Sequence, residues 1–291
     1  MLIGIHDSEG MRFPNYALMK ISAYHKNHGN DVEWWMPLKS FDAVYSSKVF
    51  TFTPQELMLP LDAIKGGTGY GKYENLPKEI DDMFPDYSLY PNADYAIGFL
   101  TRGCIRKCPW CVVPKKEGAI TPYRSWQEVK RPDSNKIVFM DNNVLASEHG
   151  IAQMESMIGQ GVQIDFNQGM DARLITSDVA NIISRLQWLR FIRLACDSDD
   201  MLPVIENTVK LLGNCGVKPY RLFVYMLVTA DIASAERRAM ALRSMGVDVF
   251  AQPYRDFENA IEPTKDQLHF ARWVNRREIF KTVERYAEYK K

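Results

Sequence analysis

From residue 94 onward, short apolar runs and amphipathic stretches alternate six times, and this alternation constrains the fold more than any other feature. Strands are predicted over 95–100, 137–140, 163–166, 191–195, 222–228 and 248–251. Helices are predicted between them over 125–129, 151–158, 177–189, 201–215 and 233–245, with Ser177 and Ser234 as helix starts and Gly216 and Gly246 as stops. Strands separated by helices need right-handed crossovers, so the sheet should be parallel and tend to curl toward a barrel. The last pattern, residues 266 to 289, reads as one helix with Phe270, Trp273, Val274, Ile279 and Val283 facing inward.

The first 92 residues read differently. A short apolar run at 2–7, a helix at 16–28 closed by Gly29, and strands at 31–36 and 43–50 make a βαβ opening. A further strand is expected at 61–64, before Gly66-Gly67-Thr68-Gly69, a weak phosphate-loop signal without the strand–loop–helix frame such loops need. Residues 70–92, rich in Pro, Tyr, Gly and Asp, suit a surface connection. Three regions follow: 1–92, a small Rossmann-like α/β domain; 93–262, a partial (β/α)6 TIM-like barrel; and 263–291, a C-terminal helical extension.

Charge excludes one class of function. The 291 residues carry 36 basic and 36 acidic side chains, so bulk charge does not hold this chain to nucleic acid or membrane. The longest apolar run, residues 222–228, is far short of the roughly 20 residues of a membrane span. The N-terminus turns polar too early for a secretory signal, and a cytoplasmic location is expected.

Five cysteines are distributed unevenly: Cys104, Cys108 and Cys111 stand together, while Cys196 and Cys215 are alone. Such a cluster in a chain of this size argues for metal or catalysis before disulfides. Zinc sites usually draw four ligands from two pairs, and no second pair exists here. Three thiols without a fourth ligand suit a 4Fe–4S cluster with one iron left open.

The run Gly103-Cys104-Ile105-Arg106-Lys107-Cys108-Pro109-Trp110-Cys111, with its x3 and x2 spacing and an aromatic residue before the last cysteine, closely resembles the radical S-adenosylmethionine (radical SAM) superfamily. The resemblance spans residues 94 to 256. It implies a cluster held by Cys104, Cys108 and Cys111, with S-adenosylmethionine chelated to the open iron and cleaved reductively to methionine and a 5′-deoxyadenosyl radical. It also implies an external electron donor such as flavodoxin or ferredoxin. Trp110 holds the position that lies against adenine, and Cys111-Val112-Val113-Pro114 is similar to the segment after the cluster in methylthiotransferases.

Other positions implied for the cofactor are less conventional. The usual Gly-Gly-Glu is replaced by Asp141-Asn142-Asn143, which resembles the Asp-rich turn of cobalamin-dependent members and supplies oxygens; the alternative is that Asp141 merely caps the next helix. Asn167 and Gln168 end the third strand, at the mouth of such a barrel. Arg193 on the fourth strand is expected to pair with the methionyl carboxylate, or else with Asp165 or Asp197. Asp197 with Ser198 faces ribose, and Gln252 sits where the backbone meets adenine. Cys196 is either a hydrogen-atom donor or packing. The N-terminal region weakly resembles a cobalamin domain but lacks Asp-x-His-x-x-Gly, so no cobalamin is expected.

The substrate is not named by these residues. Arg272, Arg276, Arg277, Lys281, Arg285 and Lys290-Lys291, with Arg106, Lys107, Lys115 and Lys116 near the cysteines, suggest a basic rim and a nucleotide or RNA substrate; a solvated helix face is the plainer reading. The alternative to an enzyme is a non-catalytic iron–sulfur binding or sensing protein.

Overall fold

Alternate residues of a strand share a face, and Ile3 and Ile5 at the start of the chain have no exposed surface, so that face of the first strand is fully covered. The computed structural model describes residues 1–256, 259 and 261–289. Its opening runs β1 (Leu2–Asp7), α1 (Tyr16–Asn27), β2 (Asp31–Trp34), β3 (Ala43–Ser47), β4 (Ile64–Gly66) and α2 (Lys78–Asp81). The four strands form a parallel sheet in the order β2-β1-β3-β4. Asn15 caps α1 by accepting the Leu18 N–H, and the helix turns Leu18, Met19 and Ile21 inward. The 70–92 connection is no mere surface link, because Ile80, Leu89 and Tyr90 pack into the same core as Ile3 and Ile5.

The next strand, β5 (Ala96–Gly98), leads into β6 (Thr101–Arg102), α3 (Val113–Lys116), β7 (Thr121–Pro122) and α4 (Trp126–Val129). Then come β8 (Lys136–Phe139), α5 (Glu148–Ser156), β9 (Gln163–Phe166), α6 (Ser177–Arg185) and β10 (Gln187–Trp188). The remainder is β11 (Ile192–Ala195), α7 (Met201–Asn214), β12 (Leu222–Val228), α8 (Ile232–Ser244) and β13 (Asp248–Pro253). Strands β5, β8, β9 and β10 form one parallel sheet, and β11, β12 and β13 another. A parallel bridge between Met170 and Leu194 joins their neighbouring edges. The protein is therefore mixed α/β and built on parallel sheets, as the alternating pattern requires. Along β12, Leu222, Val224, Met226 and Val228 are buried, while Phe223, Tyr225 and Leu227 are only half-buried, so this sheet keeps one partly open face.

Several boundaries differ from the sequence expectation. The helix expected over 177–189 stops at Arg185, because Leu186 turns extended and Gln187–Trp188 pairs with β9. Its cap is Thr176, and that of α8 is Asp231, rather than Ser177 and Ser234. The single C-terminal helix is in fact α9 (Lys265–Asn275), α10 (Arg277–Thr282) and α11 (Tyr286–Tyr289). The break at Arg276 follows from Asn275, whose side chain accepts the Ala251 N–H and donates to the Ala251 carbonyl, fixing the helix end against β13. Phe270, Trp273 and Val274 are nonetheless buried as expected. Among the described residues no helix is long and apolar enough to cross a membrane.

Candidate functional site

The cysteine loop leaves β5 under tight control. Asp141, directly after β8, is buried and its carboxylate accepts N–H bonds from Leu100 at 3.0 Å and Thr101 at 2.6 Å, plus the Thr101 hydroxyl at 2.7 Å. Burial pushes its carboxyl up to about 6, against the pull of those donors. Two residues on, Gly103 takes φ +82°, and a Cβ there would collide with the Ala119 carbonyl. Glu117 closes the loop from its far end. It accepts from Arg102 at 2.7 Å, from the Gly103 N–H at 2.9 Å and from Asn142 Nδ2 at 2.8 Å. The Cys104 N–H adds a bond to the Gly118 carbonyl at 3.2 Å.

Inside this closed loop lie the three thiols. Cys104 Sγ accepts the Arg106 N–H at 3.3 Å and Asn143 Nδ2 at 3.4 Å. The Cys111 N–H bonds the Cys108 carbonyl, folding Pro109 and Trp110 into a tight turn. Burial raises the Cys108 thiol above its ordinary value; Arg173 opposes this, while Cys104, Asp197 and Asp171 add to it. Cys111, exposed as a residue, has a thiol raised by the atoms packed round its sulfur, eased by the Val113 N–H, and raised again by Cys108 and Cys104. The three sulfurs thus share one electrostatic neighbourhood. All five cysteines are free thiols, and among the described residues no three His, Cys, Asp or Glu side chains close on a point where a single ion would sit. A cubane cluster makes a different demand, since its thiolates bind separate irons around a body rather than one ion. Three thiols with no fourth ligand fit that group in kind and number. Asn143 adds an unspent acceptor beside them: its Oδ1 is buried and has no partner.

Two tethers dock the loop onto neighbouring strands. The Trp110 indole lies beside the Asp197 carboxylate and favours its ionised form, and that carboxylate takes the Leu227 N–H at 3.1 Å. Burial holds that carboxyl above the usual range, and these neighbours temper it. Arg106 donates to Asp171 at 2.9 Å, and Asp171 is held further by Arg173. Although buried, Asp171 stays below the usual carboxylate range because of the two guanidinium groups.

The structure therefore brings Cys104, Cys108, Cys111, Trp110, Asn142, Asn143 and Asp197 together. Asp141 belongs to the same turn, but its oxygens are taken by Leu100 and Thr101; it neither caps the next helix nor leaves oxygens for a cofactor. Arg193 requires correction as a ligand for a methionyl carboxylate. Its Nε and Nη2 fork is filled by Asp165 at 2.7 and 2.8 Å, and its Nη1 by the Tyr225 hydroxyl at 2.9 Å. Asn167 meets this group only through its backbone carbonyl, which accepts from Tyr225. Gln168 and Gln252 are exposed at the ends of β9 and β13. Cys196 is fully buried in the central core, with its thiol pushed up to about 12 by burial, which is the packing alternative. In the basic rim, Arg277 pairs with Asp248 and Arg285 with Glu236, and Lys290-Lys291 lie outside the described residues.

Sequence reasoning missed Glu117 and Tyr225. A single acid ending Lys115-Lys116-Glu117-Gly118 is a faint signal at best. Tyr225 is hidden in an unbroken apolar run. No protein-family model matches the chain, and no curated protein matches it.

Proposed function

We propose that this chain is a radical SAM enzyme in which Cys104, Cys108 and Cys111 hold a 4Fe–4S cluster. The observation that carries the proposal is the loop itself: three thiols at x3 and x2 spacing, pinned by Asp141 and Glu117 and docked by Trp110 on Asp197 and Arg106 on Asp171. In support of a partial barrel, the six strands β5, β8, β9, β11, β12 and β13 follow one another in space as in sequence, with the Met170–Leu194 bridge across the gap between the sheets.

When bound, the cluster supplies one-electron chemistry to S-adenosylmethionine and yields a 5′-deoxyadenosyl radical. The chain's own residues hold and shield. Asn143 Oδ1 is free to accept an N–H from a bound ligand. Trp110, beside Asp197, sets an aromatic edge next to the thiols, and the Arg193–Asp165–Tyr225 group stiffens the half-open sheet face. We assign the substrate to the nucleotide or RNA class on the strength of Arg106, Lys107, Lys115 and Lys116 around the loop, and the electron donor to a flavodoxin or ferredoxin.

Anaerobic reconstitution followed by dithionite and S-adenosylmethionine tests this. About four irons per chain and formation of 5′-deoxyadenosine are expected. Cys104→Ala, Cys108→Ala and Cys111→Ala should lose both, while Cys196→Ala and Cys215→Ala keep the iron. Iron without 5′-deoxyadenosine would make the chain a binding or sensing protein, and a triple variant that still held a full cluster would overturn the assignment.

A further inference from the structure

The N-terminal sheet carries a cluster that this function leaves unused. In the order β2-β1-β3-β4, the connections leaving the carboxyl ends of β1 and β3 run to opposite sides, and ligands of open parallel sheets settle at the carboxyl end of such a reversal. There His6 pairs in register with Ser46. His6 Nδ1 lies 2.8 Å from Ser46 Oγ, which lies 2.8 Å from the Tyr70 hydroxyl; Ser8 Oγ is 3.4 Å from that same hydroxyl.

Lys48, just after β3, is only 7% exposed. Its stem runs beneath Gly66-Gly67-Thr68-Gly69: a Cβ on Gly67 would collide with the Lys48 carbonyl, and one on Gly69 would lie 2.5 Å from Lys48 Cγ. The glycines therefore make room for a lysine. Its Nζ stands 5.8 Å from the Tyr70 ring centroid, as does Lys65 Nζ. Among the described residues neither ammonium has a hydrogen bond or ion pair. The carboxylates of this rim accept elsewhere. Asp7 takes the Tyr90 hydroxyl, Glu9 the Val49 and Phe50 N–H groups, and Glu56 the Met58 N–H. Two ammonium groups, one on the mostly buried Lys48 and one on the half-buried Lys65, both without a hydrogen-bonded partner and both beside one phenol, define a place for an external anion.

We propose that this rim binds the phosphate of a small phosphate monoester, with Lys48 and Lys65 as its cations and the Tyr70 and Ser8 hydroxyls as further donors. Two ammonium groups and two hydroxyls offer more donors than a carboxylate's two oxygens use, which favours phosphate.

Titration calorimetry on the full chain, with ribose 5-phosphate, inorganic phosphate and ribose as probes, tests it. Both phosphate probes should bind and ribose should not. Lys48→Met, which keeps the stem, should weaken binding tenfold or more, and Lys65→Gln several-fold. Cys108→Ala should bind ribose 5-phosphate as the parent does, which separates this site from the cysteine loop. No binding by either phosphate probe, or binding that both lysine variants leave unchanged, overturns the proposal.

Discussion

Thr101 and Asp141, forty residues apart, are joined twice: the Asp141 carboxylate takes both the backbone N–H and the hydroxyl of Thr101, at 2.6 and 2.7 Å. The pair sets the direction in which the chain leaves β5, and so the position of everything up to Cys111. Thr101→Val removes one charge-assisted bond and should cost about 2 kcal/mol in urea unfolding. Its iron content after reconstitution should also fall below that of the parent.

The same carboxylate imposes a pH dependence. Its folded value near 6 lies above the unfolded value of 3.8, so the native state binds the extra proton between them. Stability from this group is full below about pH 4 and is lost as pH rises to 6, by up to about 3 kcal/mol. Unfolding free energies of the parent, compared with those of Asp141→Asn across that interval, should differ by a slope of this sign. Parallel curves would mean that Asp141 titrates at an ordinary value.

At Gly103 the backbone itself is the constraint. Gly103→Ala places a Cβ at φ +82° against the Ala119 carbonyl, so a loss of about 2 kcal/mol or more is expected. Thermal melts should register it, and cluster retention should drop with it.

Glu117 is nearly buried and serves Arg102, Gly103 and Asn142 at once. Glu117→Ala strands a partly buried guanidinium and should cost about 3 kcal/mol. The iron-loaded fraction should fall further than in Glu117→Gln, which keeps an acceptor for the Gly103 N–H.

Arg193→Lys keeps the charge but loses the planar fork on Asp165. The variant should melt earlier while binding S-adenosylmethionine within about twofold of the parent, 0.4 kcal/mol or so. A large loss of affinity with unchanged melting would return Arg193 to the cofactor.

What the sequence made legible was local. The 2–7, 163–166 and 222–228 strands match β1, β9 and β12 end to end, because period and apolar content agree over their whole lengths. The strand expected at 61–64 lies instead at Ile64–Gly66: its glycine carries no strand signal, yet it pairs with Ser47. The cysteine spacing singled out the loop, but not what holds it, since Asp141, Glu117 and Asp171 act across gaps of 14 to 65 residues that no local pattern encodes. Arg193 shows the same limit: a lone arginine on a strand reveals a need for an anion, and only the fold reveals that Asp165 meets it.

β5 divides its side chains between two cores: Ala96 packs into the central one, while Ile97, with Ala93 and Met140, completes the N-terminal one. Nearby, Lys20 of α1 reaches across to the Tyr123 hydroxyl at 3.0 Å and to Asp81. The seam at residue 92 is therefore one of sequence and not of thermodynamics. Severing the chain there would uncover Ile97 on one fragment and leave Ile3 and Leu18 half-covered on the other. The two halves should therefore not melt independently, and the intact chain should give a single cooperative endotherm.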